Sequence, residues 1–402
     1  MDYGLYVHLP YCRSLCPYCA FSKAPLHHAE PERLLRALAR EWELASAEAP
    51  GAWAENRPRT IFVGGGTPTA LDPGTLASFL DWVRSAFPIA RVREWTVEAN
   101  PEGLTAEKLR LLRQAGVDRL SLGVQSFEAA ALRALGRIHT AEGALDALAR
   151  ARAAGFTNVS LDLMAGVPGE TADGFARGVE RVVALGVPHL SIYALQVEEG
   201  TPLAAKATRG AIAIPTEDDA AERYDAAGRL LATAGYHRYE VSSWARSGFE
   251  SRHNQSYWIR RPYLGLGPGA HSFDGSRRWG NEEDVSRWFD RVEAGALPRR
   301  DVRALSEADA REEVVFLGLR RARGLRRVAL DRAAPREADG WLRWGEAAGA
   351  LRSGRGSVRP TERGLMTALE SAAELFARSE AGSHSRREAG MGPGAVSGAS
   401  PG

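Results

Sequence analysis

Short apolar stretches alternating with helical runs dominate the first half of the chain. Residues 3–9, 60–63, 94–99, 119–124, 158–164 and 189–195 read as strands. Between them, 31–48, 73–87, 105–115, 140–154 and 171–185 carry apolar positions at one-face helical spacing. Their ends are marked in the sequence. Pro73 stands near one helix start, Thr105 takes an N-cap position, and Gly116, Gly155 and Gly186 fall just past helix ends. Six strands with helical crossovers predict a parallel sheet covered by helices. From 304 the character changes: 305–321 reads as a helix with Glu312, Val315, Phe316 and Leu319 on one face, and Thr361 with Gly364 predicts a turn into a helix over 365–377. The tail from about 378 is rich in Gly, Ser, Ala and charged residues, and disorder is expected there.

Composition narrows the class without naming a function. With 44% apolar and 25% charged residues, the 402-residue chain has the make-up of a globular protein, long enough for one large domain and a smaller one. No stretch approaches the roughly 18 apolar residues of a membrane span, and the first twenty residues lack the features of a secretory leader. A cytoplasmic, reducing location is therefore expected. The 52 basic and 50 acidic residues leave a net charge of +2, which gives no global reason to expect nucleic acid as a partner.

All three cysteines, Cys12, Cys16 and Cys19, fall within eight positions. A four-iron cubane is normally held by four thiolates, so three on one loop would leave an iron open to an outside ligand. Buried inert thiols are a second reading, although prolines at 10 and 17 mark a surface loop. Structural zinc would want a fourth ligand, which His8 or a more distant histidine would have to supply; a disulfide would leave an odd thiol.

The run Tyr-Val-His-Leu-Pro-Tyr-Cys-Arg-Ser-Leu-Cys-Pro-Tyr-Cys-Ala-Phe resembles the cluster loop of the radical S-adenosylmethionine (SAM) superfamily. The resemblance implies a [4Fe-4S] cluster whose open iron is chelated by the amino and carboxylate groups of SAM, and a 5′-deoxyadenosyl radical released when the reduced cluster passes an electron to the sulfonium. It also favours an open (β/α)6 partial TIM barrel over a flat doubly wound sheet, with a smaller, winged-helix-like C-terminal domain. The expected division is a core over 1–215 with its cluster loop at 9–21, an extension over 216–303, a C-terminal domain over 304–377 and a tail over 378–402.

In such barrels functional residues gather at the carboxyl ends of the strands. The second strand ends in Gly64-Gly65-Gly66-Thr67-Pro68-Thr69, where the backbone can approach a ligand closely. The third ends at Glu98-Ala99-Asn100-Pro101; the fourth at Gly123-Val124-Gln125-Ser126-Phe127, followed by Leu135-Gly136-Arg137-Ile138-His139; the fifth at Asp162-Leu163-Met164-Ala165-Gly166-Val167-Pro168-Gly169-Glu170; the sixth delivers Tyr193, Gln196, Glu198 and Glu199. Glu98 can accept from an ammonium or a ribose, Gln125 offers a donor and an acceptor, and Arg137 offers the planar fork that suits a carboxylate.

These strings are similar to the branch of the superfamily that holds oxygen-independent coproporphyrinogen III oxidase and the HemW haem chaperones, over residues 3 to about 375. Matching positions imply SAM contacts for Tyr6, Tyr18, Gly65, Gly66, Thr67, Glu98, Gln125, Arg137 and Asp162, some of which belong to a second SAM site in the oxidase. The oxidase carries a further cysteine two residues after the third ligand, where this chain has Phe21, and it has an N-terminal extension before its cluster loop. His253-Asn254-Gln255-Ser256-Tyr257-Trp258 matches the chaperones' His-Asn-x-x-Tyr-Trp signature, and residues 263–272 continue that pattern.

The resemblance thus favours a haem carrier over an oxidase that decarboxylates coproporphyrinogen III to protoporphyrinogen IX. Haem or a porphyrin would be the cargo and respiratory haem proteins the acceptors, with peripheral membrane contact through those partners and a homodimer both compatible. His253, Tyr257, Trp258 and His271 are the candidate haem-binding residues, and a hydrogen-bonded core role for the histidines is the competing reading.

Overall fold

A computed structural model describes residues 2–368 and 371–375. The chain divides between Leu305 and Ser306 into two compact units. In the first, strands β1 (Tyr3–Leu9), β2 (Pro58–Gly65), β3 (Glu94–Ala99), β4 (Arg119–Gln125), β5 (Asn158–Ala165) and β6 (His189–Ala194) follow one another in parallel. The crossovers contain α1 (Pro31–Glu48), α2 (Pro73–Ala86), α3 (Ala106–Ala115), α4 (Ala141–Ala153) and α5 (Ala172–Ala184). The capping signals act as read. Asp72 caps α2 ahead of Pro73, the Thr105 hydroxyl accepts from the Lys108 amide, and Gly116 stops α3 in the left-handed region at φ 104°.

The sheet does not end with these six strands. After α6 (Glu217–Thr233) come β7 (His237–Glu240), β8 (Ser243–Ala245), α7 (Arg252–Trp258), β9 (Tyr263–Leu266), β10 (His271–Phe273), β11 (Arg277–Asn281), α8 (Val285–Glu293) and β12 (Arg299–Ala304). The strand order is β12-β11-β10-β9-β1-β2-β3-β4-β5-β6-β8-β7, an open, mixed sheet. β9 is a seventh parallel strand, paired with β1 on the side away from β2.

This late segment also grips the start of the chain. Ser22 Oγ donates to the Glu283 carbonyl at 2.5 Å, and the Ser22 carbonyl meets His8 Nε2 at 2.8 Å. Buried Glu41 on α1 accepts from the Gly267 amide, Asn281 Nδ2 and Trp288 Nε1, so one carboxylate joins α1 to the β9–β10 turn, β11 and α8.

Two environments alternate along the barrel strands. Leu5, Val7, Ile61, Val63, Trp95, Val97, Leu120, Leu122, Val159, Leu161, Leu190 and Ile192 are buried in the main apolar core, under the helices. Burial of such side chains, about 1.5–3 kcal/mol each, holds the helices to the sheet. The intervening positions, among them Thr60, Thr96, Glu98, Arg119, Ser121, Ser160, Asp162, His189 and Ser191, are polar. A closed barrel fills its interior with branched apolar side chains; this interior is instead lined for a polar occupant.

The second unit runs α9 (Glu307–Leu319), β13 (Leu325–Arg326), α10 (Arg327–Ala333), α11 (Ala338–Ala347), β14 (Leu351–Gly354), β15 (Ser357–Pro360) and α12 (Glu362–Met366). Its antiparallel sheet has the order β13-β15-β14, the helix and hairpin arrangement of a winged helix, around a core that includes Leu319, Leu330, Trp341 and Val358. The expected helix over 305–321 begins at Glu307 because Ser306 and Asp309 form a capping box. The one expected from 365 begins at Glu362, with Thr361 as its cap. The tail over 378–402 lies outside the described residues.

Candidate functional site

At the carboxyl ends of the parallel strands lies a cavity of about 500 Å³, lined by residues from β2 to β6, from the loop that follows β1 and from α7. The cysteine loop forms one wall. Tyr11–Cys12 pairs with Ala24–Pro25 and closes the loop at its base, and the Cys19 amide turns back onto the Cys16 carbonyl at 3.3 Å. All three thiols are half-buried and line the cavity.

An arc of hydrogen bonds ties two of them together through residues from other strand ends. Thr67 Oγ1 reaches Cys12 Sγ at 3.8 Å and accepts from Asn100 Nδ2 at 3.0 Å. Arg137 donates to Asn100 Oδ1 and to the Gly123 carbonyl, both at 2.6 Å, and to Cys16 Sγ at 3.5 Å. Asn100 is the hinge of this arc, and sequence reasoning passed over it: an asparagine before a proline is also an ordinary turn residue.

The donor set fits a thiolate-held cluster. Among the described residues no three His, Cys, Asp or Glu groups converge on a single ion; the three thiols stand around a shared cavity instead. His8, the candidate fourth zinc ligand, has Nδ1 on the Tyr6 hydroxyl at 3.1 Å and Nε2 on the Ser22 carbonyl, so neither nitrogen is free. Burial pushes the Cys12 thiol up to about 11, and bound iron would reverse that by stabilising the thiolate.

Opposite the loop, the glycine run makes a cradle that side chains would fill. A Cβ on Gly64 would lie 2.5 Å from Glu98 Oε2, and one on Gly66 would lie 2.7 Å from the Pro10 carbonyl. Gly65 takes φ 102°, and its amide donates to Glu98 Oε2 at 3.1 Å. Glu98 is pushed up to about 8, by burial first and by the charge of Asp162 second. Asp162, also raised by burial, accepts from Ser121 Oγ at 2.9 Å and Ser160 Oγ at 3.2 Å. This desolvated carboxylate pair favours a cationic or hydroxyl-bearing ligand.

Gln125 sits at φ 66°, a left-handed conformation that costs a non-glycine residue of order 1–3 kcal/mol and that aims its side chain from the end of β4. Tyr18 packs against the cluster of Ala131, Leu135, Met164 and Val167 and lines the cavity. The structure therefore brings together Tyr18, Gly65, Gly66, Thr67, Glu98, Gln125, Arg137 and Asp162 with the cysteines. Tyr6 is not on the lining; its ring stands 6.1 Å from Phe62, which is.

The His-Asn-x-x-Tyr-Trp segment is α7, and it plugs the base of the barrel. Glu94 accepts from Ser251 Oγ and from the Arg252 and His253 amides at 2.8–3.3 Å. His253 is 1% exposed, with Nδ1 on Thr60 Oγ1 at 2.8 Å and Nε2 on the Tyr257 hydroxyl at 2.7 Å. Both ring nitrogens are engaged, the arrangement that the competing, hydrogen-bonded core reading of His253 describes. Tyr257 packs edge-on against Tyr263, and Trp258 Nε1 donates to Glu240 at 3.0 Å. His271, on β10, is exposed.

Comparison with known proteins agrees with this geometry. Residues 6–182 match the family model described as the radical SAM superfamily. The heme chaperone HemW of Bacillus subtilis is 36% identical over 83% of this chain and 88% of that protein, and that of Mycobacterium tuberculosis is 40% identical over 83% and 85%. Among solved structures, the coproporphyrinogen III oxidase HemN of Escherichia coli, a radical SAM enzyme, superposes with a TM-score of 0.79 at 24% identity, covering 93% of this chain and 90% of that one, so the two share a fold. The chain belongs to the radical SAM superfamily and, within it, to the family of the HemW haem chaperones.

Proposed function

We propose that this protein is a cytoplasmic haem carrier that holds a [4Fe-4S] cluster on Cys12, Cys16 and Cys19, seats SAM beside it, and hands haem to respiratory haem proteins. The observation that carries the reading is the near full-length similarity to proteins named heme chaperones. Phe21 supports it: where the oxidase has a cysteine, this chain puts an exposed aromatic ring at the cavity lining. No helix among the described residues is long and apolar enough to cross a membrane, so contact with membrane-bound acceptors would be peripheral.

Held by Cys12, Cys16 and Cys19, a reduced cluster would supply an electron to the SAM sulfonium. The residues of this chain do the positioning. The glycine cradle admits SAM close to the backbone, and the Glu98–Asp162 pair receives its cationic or hydroxyl groups. The Thr67–Asn100–Arg137 arc orients two cluster thiolates. Of the two candidate haem-binding histidines, His253 is committed to the core and His271 is exposed, and Tyr257 and Trp258 serve to hold α7.

The test is an anaerobic assay of the iron-sulfur reconstituted protein with dithionite, SAM and coproporphyrinogen III, followed by haem titration of the same sample. Haem binding without decarboxylation is expected. Protoporphyrinogen IX formed with stoichiometric 5′-deoxyadenosine would instead make the protein an oxidase.

A further inference from the structure

Acidic and basic residues are mixed along residues 306–375, and the fold of the second unit sorts them. Val358 is buried at the centre of the sheet β13-β15-β14, with Leu325 and Ser353 as its register partners. Strand alternation turns the next residues to the opposite, outward face. There Arg352 stands directly across from Arg359, and Arg326 pairs with Ser357, two positions before Arg359 on the same face. Arg355 occupies the turn between β14 and β15. Arg323 lies at the other edge, where a Cβ on Gly324 would come within 2.7 Å of Arg359 Cα. All five arginines are exposed, and no acidic residue occurs on the three strands or in the turn. Arg327 beside them pairs with Asp331 at 2.6 Å and Asp339 at 2.5 Å, whereas none of the five has an ion pair among the described residues.

Like charges directly opposite each other on paired strands are unfavourable, and a surface of one sign repels itself unless an anion covers it. An array of arginines on an open sheet face complements an extended anionic surface, each guanidinium fork matching the oxygens of a phosphate. Two features favour lipid over nucleic acid. α11, the helix that such a domain would lay in a DNA groove, exposes Asp339 and Glu346 beside Arg343. The strands of the sheet carry no aromatic ring on which a base could stack. We propose that this sheet face docks the protein onto membranes that contain anionic phospholipid, through the headgroup phosphates. The proposal goes beyond the functional reading and does not depend on haem being the cargo.

Sedimentation of the cluster-reconstituted full chain with vesicles tests this, using phosphatidylcholine alone and phosphatidylcholine mixed with phosphatidylglycerol. The chain should pellet with the anionic vesicles and not with the neutral ones, and added salt should release it. Arg326→Gln, Arg352→Gln and Arg359→Gln combined should weaken that binding about 100-fold, about fivefold for each arginine. Cluster absorbance and melting temperature should stay at wild-type values. No binding to the anionic vesicles, equal binding to the neutral ones, or unchanged binding by the folded triple variant would each overturn the proposal. Tighter binding to a DNA duplex than to anionic vesicles at equal phosphate concentration would overturn it too, and reassign the face to nucleic acid. Should the triple variant fail to fold, Arg355→Gln, in the turn, must weaken vesicle binding about fivefold; an unchanged affinity refutes the surface.

Discussion

Replacing Asn100 with alanine cuts the arc between Cys12 and Cys16 at its centre. Two bonds go: the one Asn100 donates to Thr67 Oγ1 at 3.0 Å and the one it accepts from Arg137 at 2.6 Å. A neutral bond contributes about 1 kcal/mol and one to a charged group about 1.5–3 kcal/mol, so Asn100→Ala should lose about 2.5–4 kcal/mol. Arg137 keeps the Gly123 carbonyl, which limits the loss to that range. Urea unfolding of the apoprotein measures it as a fall in midpoint at unchanged slope. The cluster should respond too, because hydrogen bonds to its sulfurs tune its potential: iron should be lost faster to a chelator, and the midpoint potential should move. Asn100→Asp, which still accepts from Arg137 but no longer donates to Thr67, should lose only about 1 kcal/mol. A stability change in Asn100→Ala within about 0.5 kcal/mol, together with unaltered iron retention, would show that the arc does not organise the site.

Glu98→Gln should weaken SAM binding about 10–100-fold, the equivalent of one charge-assisted bond. In the wild type, affinity should climb with pH as Glu98 ionises near about 8, a rise that equilibrium dialysis should find flattened in the variant. His253→Gln probes the plug at the barrel base. Burial lowers the His253 pKa from 6.5 to about 3, so the unfolded chain binds more protons in that window, and the stability His253 contributes is fully present above 6.5 and lost as pH falls toward 3. Its share of the slope, about 1.4 kcal/mol per pH unit, should vanish from stability measured against pH in the variant, whereas an unchanged slope would mean that His253 is not buried neutral. Gly66→Ala sets a methyl 2.7 Å from the Pro10 carbonyl and 2.8 Å from the Leu9 oxygen, both backbone. Overpacking of about 1–3 kcal/mol is expected, read as a lower melting temperature and less iron incorporated per chain; a wild-type yield would mean that the cradle can give way.

Local signals were legible where a single element determines the outcome. The strands and crossover helices of the barrel followed from periodicity, Thr105 and Gly116 from capping chemistry, and the grouping of Cys12, Cys16 and Cys19 on one cavity wall from their spacing. What escaped was set by tertiary neighbours. β9 is four residues long and parallel to a strand at the far end of the sequence, a pairing that periodicity cannot announce. Asn100 matters because Thr67 and Arg137 arrive from other strands. His253 was open to two readings, haem ligand or core histidine, and only the positions of Thr60 and Tyr257 reveal that both of its nitrogens are engaged.

The grip of the late segment on the cysteine loop has a consequence for biogenesis. Ser22 and the Glu283 carbonyl that holds it are 261 positions apart in the chain. At ordinary rates of synthesis, the thiols precede their clamp by on the order of tens of seconds, and contacts of such long range form late in folding. Until the segment around Glu283 is in place, the loop lacks the carbonyl that holds Ser22, and its three thiols are open to oxidation. Productive loading with iron and sulfide is thus a step for the released chain, and cells that delay it in air should accumulate oxidised apoprotein rather than a misfolded barrel.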